Sequence, residues 1–343
     1  MLNKNNTKST KKSILKNFFI GCGTITALVI GFIIWVGVSL FSGPDAMEMS
    51  EYHPFRSQEA KEKYLQLYDE RARLWPVVSE TKTVETAYGP TFVRISGPVD
   101  APPLVLLPGG GTPSLMWAPN IEALSADYRT YAVDNIFDIG RSVYTKPIKN
   151  PDDFVRWLDE LFSALEPGDN INLMGLSYGG WLTSQYALRH PERLNKIVLL
   201  APAATVLPFN QEFLKRAILS VLPHRYFLRS TIYWLFEDLA KKDEASRMLI
   251  DAAVDDAFLA RQCFKFKMLV NPTVLTDEEL QSLAVPALFL VGENEKIYSA
   301  KQAVQRLKAV SPQIKTEILP DCGHDLFIAQ KDLVNERVLA FLE

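Results

Sequence analysis

The chain has 343 residues, of which 48% are hydrophobic and 22% are charged, and its formal net charge is −3. No basic block follows the first 17 residues, so the chain lacks the strongly basic character of nucleic-acid-binding proteins and we expect no nucleic-acid partner. The four histidines and three cysteines show no spacing typical of a metal site, and we expect no metal. The first 41 residues include a long apolar segment, described below. The rest of the chain has about 300 residues, which is enough for one large core.

The N-terminal segment has the charge and hydropathy pattern of a membrane anchor. Residues 1–17 contain five lysines and form a basic head, whereas residues 17–44 carry no charge. The apolar stretch 18–41 would span about 36 Å as a helix, and a bilayer core needs about 20 such residues. The lysines predict a single-pass anchor with a cytoplasmic N-terminus, which places the residues after the anchor outside the cytoplasm. The alternative is secretion after signal-peptide cleavage, but a secretory apolar region usually has about 7–15 residues.

A linker and a hairpin follow the predicted anchor. Residues 42–82 are predicted to form a juxtamembrane linker, with a helix over 57–75. Strands 83–87 and 91–95 are predicted to pair as an antiparallel hairpin that opens a domain over 83–343. Beyond the hairpin, strand and helix patterns alternate, which predicts a mostly parallel central sheet with helices on both faces. The later strands are predicted near Leu104, Thr130, Leu173, Val198, Leu288 and Glu317.

The strand near Leu104 runs into residues 108–113, with the sequence PGGGTP. Three glycines after a strand let the backbone approach a ligand closely and direct N–H groups toward it. The simpler interpretation is a tight turn. A glycine loop after an early strand, followed later by G-x-S-x-G, is nevertheless the arrangement of an oxyanion hole and its nucleophile. We therefore predict that the backbone N–H of Gly110 is one oxyanion donor.

Residues 175–180 (GLSYGG) lie between the apolar run 171–174 and a helix-like stretch. A serine at the tip of such a turn has a strained backbone, and the residues two positions away must be small to avoid a clash. The turn lifts the hydroxyl of Ser177 out of the sheet. It also places the N–H of Tyr178 at a helix N-terminus, where it faces a developing oxyanion. We predict that Ser177 is a nucleophile and that Tyr178 supplies the second oxyanion donor.

Residues 203–284 break the alternation of strands and helices. Their helix-like runs at 211–222, 230–239 and 255–269 are too long and too apolar for a loop. We predict a helical cap, inserted after the sixth strand and lying over the C-terminal ends of the strands, where open α/β sheets bind ligands. Its aromatic side chains either line an acyl pocket or form the cap's own core. They are Phe213, Phe227, Tyr233, Trp234, Phe264 and Phe266.

The candidate acid follows the apolar run 285–292, where Glu293 and Glu295 lie just beyond a glycine. A triad acid must be held rigidly behind the histidine, and the end of a strand supplies that rigidity. We predict Glu295 as the acid, with Glu293 as the alternative. The simpler interpretation of either residue is a solvated loop carboxylate.

The candidate base is His324, which follows a predicted strand at 315–319 in a loop that contains glycine. His53 lies in the juxtamembrane segment, His190 ends the helix after the serine, and His224 lies in the helical insertion. Elimination therefore favours His324. The resulting order Ser…Glu…His is that of α/β-hydrolases.

From about residue 83 onward, the chain resembles an α/β-hydrolase-fold serine hydrolase, and most closely a bacterial carboxylesterase. Besides the motifs above, residues 131–142 look like a strand and turn of this family, and residues 190–194 look like the segment before its sixth strand. The resemblance implies the α/β-hydrolase fold and cleavage of a small-molecule carboxylic ester through an acyl-enzyme. It assigns Ser177, His324 and Glu295 as the catalytic triad and implies no cofactor.

Two positions depart from the family's pattern. Pro108 stands where many relatives carry His before the glycine loop. The oxyanion hole is formed by backbone N–H groups, so this change need not abolish activity, but it leaves open how the loop is held. Glu also stands where Asp is commoner at the acid position.

Several alternatives stay open at the level of sequence. Lipid, thioester and amide hydrolases and perhydrolases share this triad, so the motifs do not separate them from a carboxylesterase. A non-catalytic binding or sensor protein is a further alternative, which the intact triad argues against. Pairing of Cys263 with Cys322, the oligomeric state and the physiological ester are left undetermined.

Overall fold

The structure is a computed structural model that describes residues 49–166, 168, 170–265 and 270–343. The predicted basic head and the predicted anchor over 18–41 lie outside these residues. Within the described part, none of the helices has both the length and the apolar character needed to cross a bilayer. The described chain forms one compact unit, Met49–Glu343.

One sheet of eight strands organises the described residues, in the order β1-β2-β4-β3-β5-β6-β7-β8. The strands are β1 (Ser79–Val84), β2 (Thr91–Ser96), β3 (Pro103–Leu107), β4 (Arg129–Val133), β5 (Ile171–Leu176), β6 (Leu194–Leu200), β7 (Ala287–Gly292) and β8 (Lys315–Leu319). The pairs β1–β2 and β2–β4 are antiparallel, and the other five pairs are parallel. The predicted mostly parallel sheet is therefore confirmed, although the opening strand begins at Ser79 rather than at residue 83.

Helices are the other main elements of the described residues. They are α1 (Gln58–Ala72), α2 (Ala118–Asp127), α3 (Pro151–Leu165), α4 (Tyr178–Arg189), α5 (Gln211–Ser220), α6 (Arg225–Leu235), α7 (Glu237–Lys242), α8 (Glu244–Cys263), α9 (Asp277–Ser282), α10 (Ala300–Val310), α11 (Leu326–Ala329) and α12 (Lys331–Leu342). Every residue of β5 and β7 is buried, as strands covered on both faces require. The carboxyl ends of the parallel strands consequently share one edge, on which the loops after β3, β5, β7 and β8 lie.

The helix α1 belongs to the core of the domain. It buries Tyr64 and Tyr68 in an aromatic cluster that includes Phe264. The rings of Tyr64 and Phe264 are 4.7 Å apart at an interplanar angle of 85°, an edge-to-face arrangement. From Met49 onward, the residues predicted as part of a linker over 42–82 are thus part of the domain. Their tyrosines are buried by residues distant in the chain.

Helices α5 to α9 lie between β6 and β7, in the region predicted as a cap. The prediction of a helix over 255–269 differs from the structure, where α8 begins at Glu244. The cause is Asp243, whose side chain accepts a hydrogen bond of 2.6 Å from the N–H of Ser246 and caps the helix. Phe264 contributes to the cluster with α1 rather than to an acyl pocket, and Phe266 lies outside the described residues.

Candidate active site

Ser177 occupies the turn between β5 and α4, and its backbone is strained. Its φ of 51° and ψ of −113° fall in a region that residues other than glycine rarely adopt. Its N–H donates to the carbonyl of Leu200 at 2.9 Å, and its carbonyl accepts the N–H of Ala203 at 2.9 Å. The end of β6 therefore holds this conformation in place. Strain of this kind at a strand-to-helix turn is typical of a nucleophile elbow.

The two glycines of the G-x-S-x-G motif are required by close packing. A Cβ atom on Gly175 would lie 2.2 Å from the backbone of Gly179, and one on Gly179 would lie 2.3 Å from the carbonyl oxygen of Leu107. Real Cβ contacts are never this short. The turn therefore packs directly against the end of β3, which brings Ser177 beside the glycine loop. A Cβ on Gly109 would lie 3.7 Å from the Cβ of Ser177.

The glycine loop lacks the histidine of many relatives and is held by other side chains. The N–H of Gly109 donates to the sulfur of Met116 at 3.2 Å. The hydroxyl of Thr112 lies 2.7 Å from the carbonyl of Gly109, to which it donates. The N–H of Gly111 donates to a carboxylate oxygen of Asp138 at 2.7 Å. Met116 and Asp138 are not identified by the sequence analysis, because neither residue type marks a site by itself.

These contacts leave two N–H groups beside the serine. Within the part of the chain that the structure describes, neither Gly110 nor Tyr178 has a partner for its backbone N–H. Gly110 is exposed, and Tyr178 is the first residue of α4. N–H groups at such positions are available to an oxyanion. Gly110 and Tyr178 belong to the two loops that pack together, and their role as oxyanion donors stays a prediction.

The structure brings His324 and Glu295 together. Nδ1 of His324 lies 2.9 Å from Oε2 of Glu295, and the Glu295 side chain has 0% of its surface exposed. The other carboxylate oxygen, Oε1, accepts the N–H groups of Lys296 at 2.7 Å and Ile297 at 2.9 Å. Both oxygens of Glu295 are therefore held. Glu293, the alternative acid, is exposed.

Opposing influences set the pKa of His324. Burial of the imidazole disfavours its charged form and lowers the pKa. The charge and hydrogen bond of Glu295, together with the charge of Asp325, outweigh burial and raise the pKa above its ordinary value. The carboxylates therefore stabilise an imidazolium at this position, which a general base forms when it accepts a proton.

The other histidines have structural partners. Nε2 of His53 lies 2.8 Å from the carbonyl oxygen of Tyr144 in the interior. Nδ1 of His190 lies 3.2 Å from a carboxylate oxygen of Glu192. His224 accepts a backbone N–H at the start of α6 and so caps that helix. These contacts explain each residue without a catalytic role.

The remaining sequence features are structural. Asp134, in the turn after β4, is fully buried and accepts the N–H groups of Ser114 and Arg141, both at 2.7 Å. It thereby fixes the segment that follows the glycine loop. Cys263 and Cys322 are both buried free thiols, so they do not form a disulfide.

Comparison with known proteins finds α/β hydrolases, among them carboxylesterases. Residues 104–337 match the family described as "Alpha/beta hydrolase family". The chain is 37% identical over 290 residues to carboxylesterase YbfK of Bacillus subtilis, across 84% of this chain and 96% of that protein. The crystal structure of naproxen esterase (carboxylesterase NP) from Bacillus subtilis matches with a TM-score of 0.75 and 35% identity, across 87% of this chain and 100% of the other. A membrane phospholipase A matches with a TM-score of 0.63 and 21% identity, across 95% and 98% of the two chains, which supports the fold alone.

Proposed function

We propose that Ser177, His324 and Glu295 cleave a carboxylic ester through an acyl-enzyme. The chain belongs to the alpha/beta hydrolase family, and its carboxylesterase relatives show that it is a carboxylic-ester hydrolase. The observation that carries this proposal is the buried hydrogen bond of 2.9 Å between His324 and Glu295. This pair lies on the loops after β8 and β7, at the same edge of the sheet as Ser177. That edge is where open α/β sheets bind ligands.

In the acylation half of the cycle, His324 acts first as a general base and then as a general acid. Nε2 of His324 accepts the proton of the Ser177 hydroxyl as the serine oxygen attacks the ester carbonyl carbon. The carbonyl electron pair moves onto oxygen, and the N–H groups of Gly110 and Tyr178 donate to that oxyanion. The bond to the alkoxy group then breaks, and the alcohol leaves with the proton from His324. Glu295 stays ionised and orients the imidazole.

Deacylation repeats the same steps with water. His324 accepts a proton from a water molecule, which attacks the acyl carbon, and Ser177 leaves with the proton that His324 returns. The products are a carboxylic acid and an alcohol, and the enzyme is restored without a redox step. The protein groups that contact reacting atoms in both halves are therefore the same.

Replacement of the nucleophile tests this mechanism. We expect Ser177→Ala in the full-length protein to lower kcat on p-nitrophenyl acetate by about 10⁶-fold, the usual effect of losing a triad serine. Ser282→Ala, which changes an exposed serine outside the site, serves as the matched control and should keep the parent rate. Thermal unfolding of all three proteins checks that the fold is kept. Ser177→Ala with near-parental activity would overturn the mechanism.

We also infer a membrane anchor over residues 18–41, with the N-terminus in the cytoplasm and the catalytic domain outside it. The support is the uncharged apolar stretch and the five lysines before it. Fractionation of expressing cells, followed by protease treatment of intact spheroplasts, tests both statements. We expect the protein in the membrane fraction and its catalytic domain to be cleaved by external protease. Release into the medium with a new N-terminus near Gly43 would favour the signal-peptide alternative.

A second candidate function is hydrolysis of lipid esters at the membrane. The observation in its favour is an exposed apolar surface on the cap, where Leu214, Ile218 and Tyr226 have 46%, 68% and 66% of their surface exposed. Leu214 and Ile218, four residues apart on α5, lie on one face of that helix, and exposed apolar faces mark interaction sites. A p-nitrophenyl series from acetate to palmitate separates the candidates. A maximum at short chains supports a carboxylesterase with a confined pocket, and one at long chains supports a lipid hydrolase; amide and thioester analogues test the remaining alternatives.

A further inference from the structure

Asp325 directly follows the candidate base, and its carboxylate links two parts of the molecule. The residue has 0% of its surface exposed. One oxygen accepts the N–H of Gly323, the residue before His324, at 2.9 Å. The other oxygen accepts the N–H of Leu239, in the cap helix α7, at 2.9 Å. The loop that carries His324 is therefore joined to the cap through one buried side chain.

The same helix contacts the loop that carries the candidate acid. Nδ2 of Asn294 donates to Asp238 at 3.1 Å, and Nζ of Lys296 lies 2.5 Å from a carboxylate oxygen of Glu237. Asn294 and Lys296 flank Glu295 on either side. Helix α7 thus contacts the neighbours of both members of the candidate His–Glu pair.

The acid and base loops are also packed against each other. The N–H of Asn294 donates to the carbonyl of Cys322 at 2.9 Å. A Cβ on Gly323 would lie 2.9 Å from the carbonyl oxygen of Asn294, and one on Gly292 would lie 2.4 Å from the carbonyl oxygens of Cys322 and Gly323. Such contacts leave no space for one loop to shift alone. A displacement of α7 would therefore move both loops.

Burial of an ionised carboxylate costs desolvation free energy, so its use to join two backbone segments needs a reason. Burial raises the pKa of Asp325, while its two backbone donors act in the opposite direction. Three carboxylates act electrostatically on His324 or on Asp325. Glu295 faces His324 from the acid loop, Asp325 lies on the base loop, and Asp238 faces Asp325 from the cap. The negative charge of Asp325 adds to that of Glu295 in stabilising the imidazolium.

We propose that Asp325 is a positioning residue, which holds His324 against Glu295 through Gly323 and couples that alignment to the seating of cap helix α7 through Leu239. The proposal rests on the proposed role of His324 as general base. Asp325 contacts neither the nucleophile nor, in the proposed mechanism, any reacting atom. Its effect is exerted through the position and the charge state of His324.

The variant Asp325→Asn tests the proposal with little change in shape. The amide keeps one acceptor, but its NH₂ group would face a backbone N–H, so one of the two hydrogen bonds is lost. We expect kcat of the full-length protein to fall by about 10- to 100-fold, as for loss of a hydrogen bond to a charged group, with KM changed much less. Removal of a negative charge near His324 also lowers its pKa. The acid limb of kcat/KM should therefore move to lower pH, which a merely structural role would not produce.

The matched control is Asp321→Asn, in the same loop. Asp321 is exposed, and Asn is tolerated at its φ of 53°. We expect this variant to keep the parent kcat and pH profile. A parental kcat and acid limb in Asp325→Asn would overturn the positioning role while leaving the mechanism intact, provided that activity still depends on Ser177. Activity independent of Ser177 would instead overturn the mechanism itself.

A second variant keeps the coupling testable if Asp325→Asn does not fold. Asp238→Ala removes the contact between α7 and Asn294 from a partly exposed position and leaves the buried carboxylate in place. We expect kcat to fall, but by less than in Asp325→Asn, although Asp238 contacts neither Ser177 nor His324. The low-field proton NMR signal of the His324 Nδ1–H provides a readout without substrate and should shift in either variant. An unchanged kcat and an unchanged signal in Asp238→Ala would overturn the coupling to the cap.

Discussion

At the scale of single residues, the proposed chemistry depends on the protonation of His324. A general base must be neutral, so activity should rise with pH through the pKa of His324, which lies above its ordinary value because the carboxylates outweigh burial. Glu295→Gln removes the negative charge that raises the pKa of His324, so the lowering of this pKa by burial is less compensated. We therefore expect the acid limb of kcat/KM to move to lower pH and kcat to fall by about 10²- to 10⁴-fold, because the amide no longer fixes the tautomer. A pH–rate series measures both quantities.

The alternative acid provides the control for this prediction. Glu293 is exposed and lies two residues from Glu295. Glu293→Gln removes the same charge from the same loop without affecting the hydrogen bond to His324, so its pH profile should match that of the parent enzyme. If Glu293→Gln caused the larger loss, the assignment of the acid would have to be exchanged.

At the scale of structural elements, the glycine loop is ordered by a thioether rather than by a histidine. Met116→Leu conserves volume but removes the sulfur that accepts the N–H of Gly109 at 3.2 Å. An unsatisfied N–H costs about 1–3 kcal/mol, and this loop carries the proposed Gly110 donor. We expect kcat/KM to fall by about 10-fold and the free energy of unfolding to fall by about 1 kcal/mol. Met248→Leu, at a methionine that is 68% exposed, is the control, and equal rates in both variants would contradict the role of Met116.

The elements also show which features a sequence predicts. The nucleophile turn was predictable because its constraint is local: the clash that excludes a side chain at Gly175 involves Gly179, four residues away. The sequence favoured Glu295 over Glu293 only by its position after Gly292, because the choice depends on how the loop leaves β7. The link from Leu239 to Asp325 joins residues 86 positions apart, and no local pattern marks such a contact. The sequence therefore predicts motifs within one turn better than the contacts that hold those turns together.

At the scale of the whole molecule, the extent of the folding unit differs from the domain over 83–343 that alternation of strands and helices predicted. Alternation marks the sheet, but α1 precedes the sheet and is held by residues far along the chain. Its Arg71 donates two hydrogen bonds to Asp256, at 2.6 and 2.8 Å, and its tyrosines cover the end of α8. The compact unit consequently begins at Met49. Naproxen esterase, matched over 100% of its length by 87% of this chain, is consistent with a unit of this size.

Truncation tests this extent directly. Removal of residues 49–82 would expose Phe92 and Phe264, which α1 covers, and loss of one buried aromatic side chain alone costs about 3–5 kcal/mol. Since whole domains are stable by only about 5–15 kcal/mol, a fragment over 83–343 should not fold, whereas a fragment from Met49 should unfold cooperatively on heating. Tyr64→Ala in the full-length protein should lower the free energy of unfolding by about 3–5 kcal/mol, and Tyr226→Ala, at a tyrosine that is 66% exposed, should change it little. Circular dichroism against temperature measures all four proteins. A folded and active 83–343 fragment would show that α1 only covers a core that is already complete.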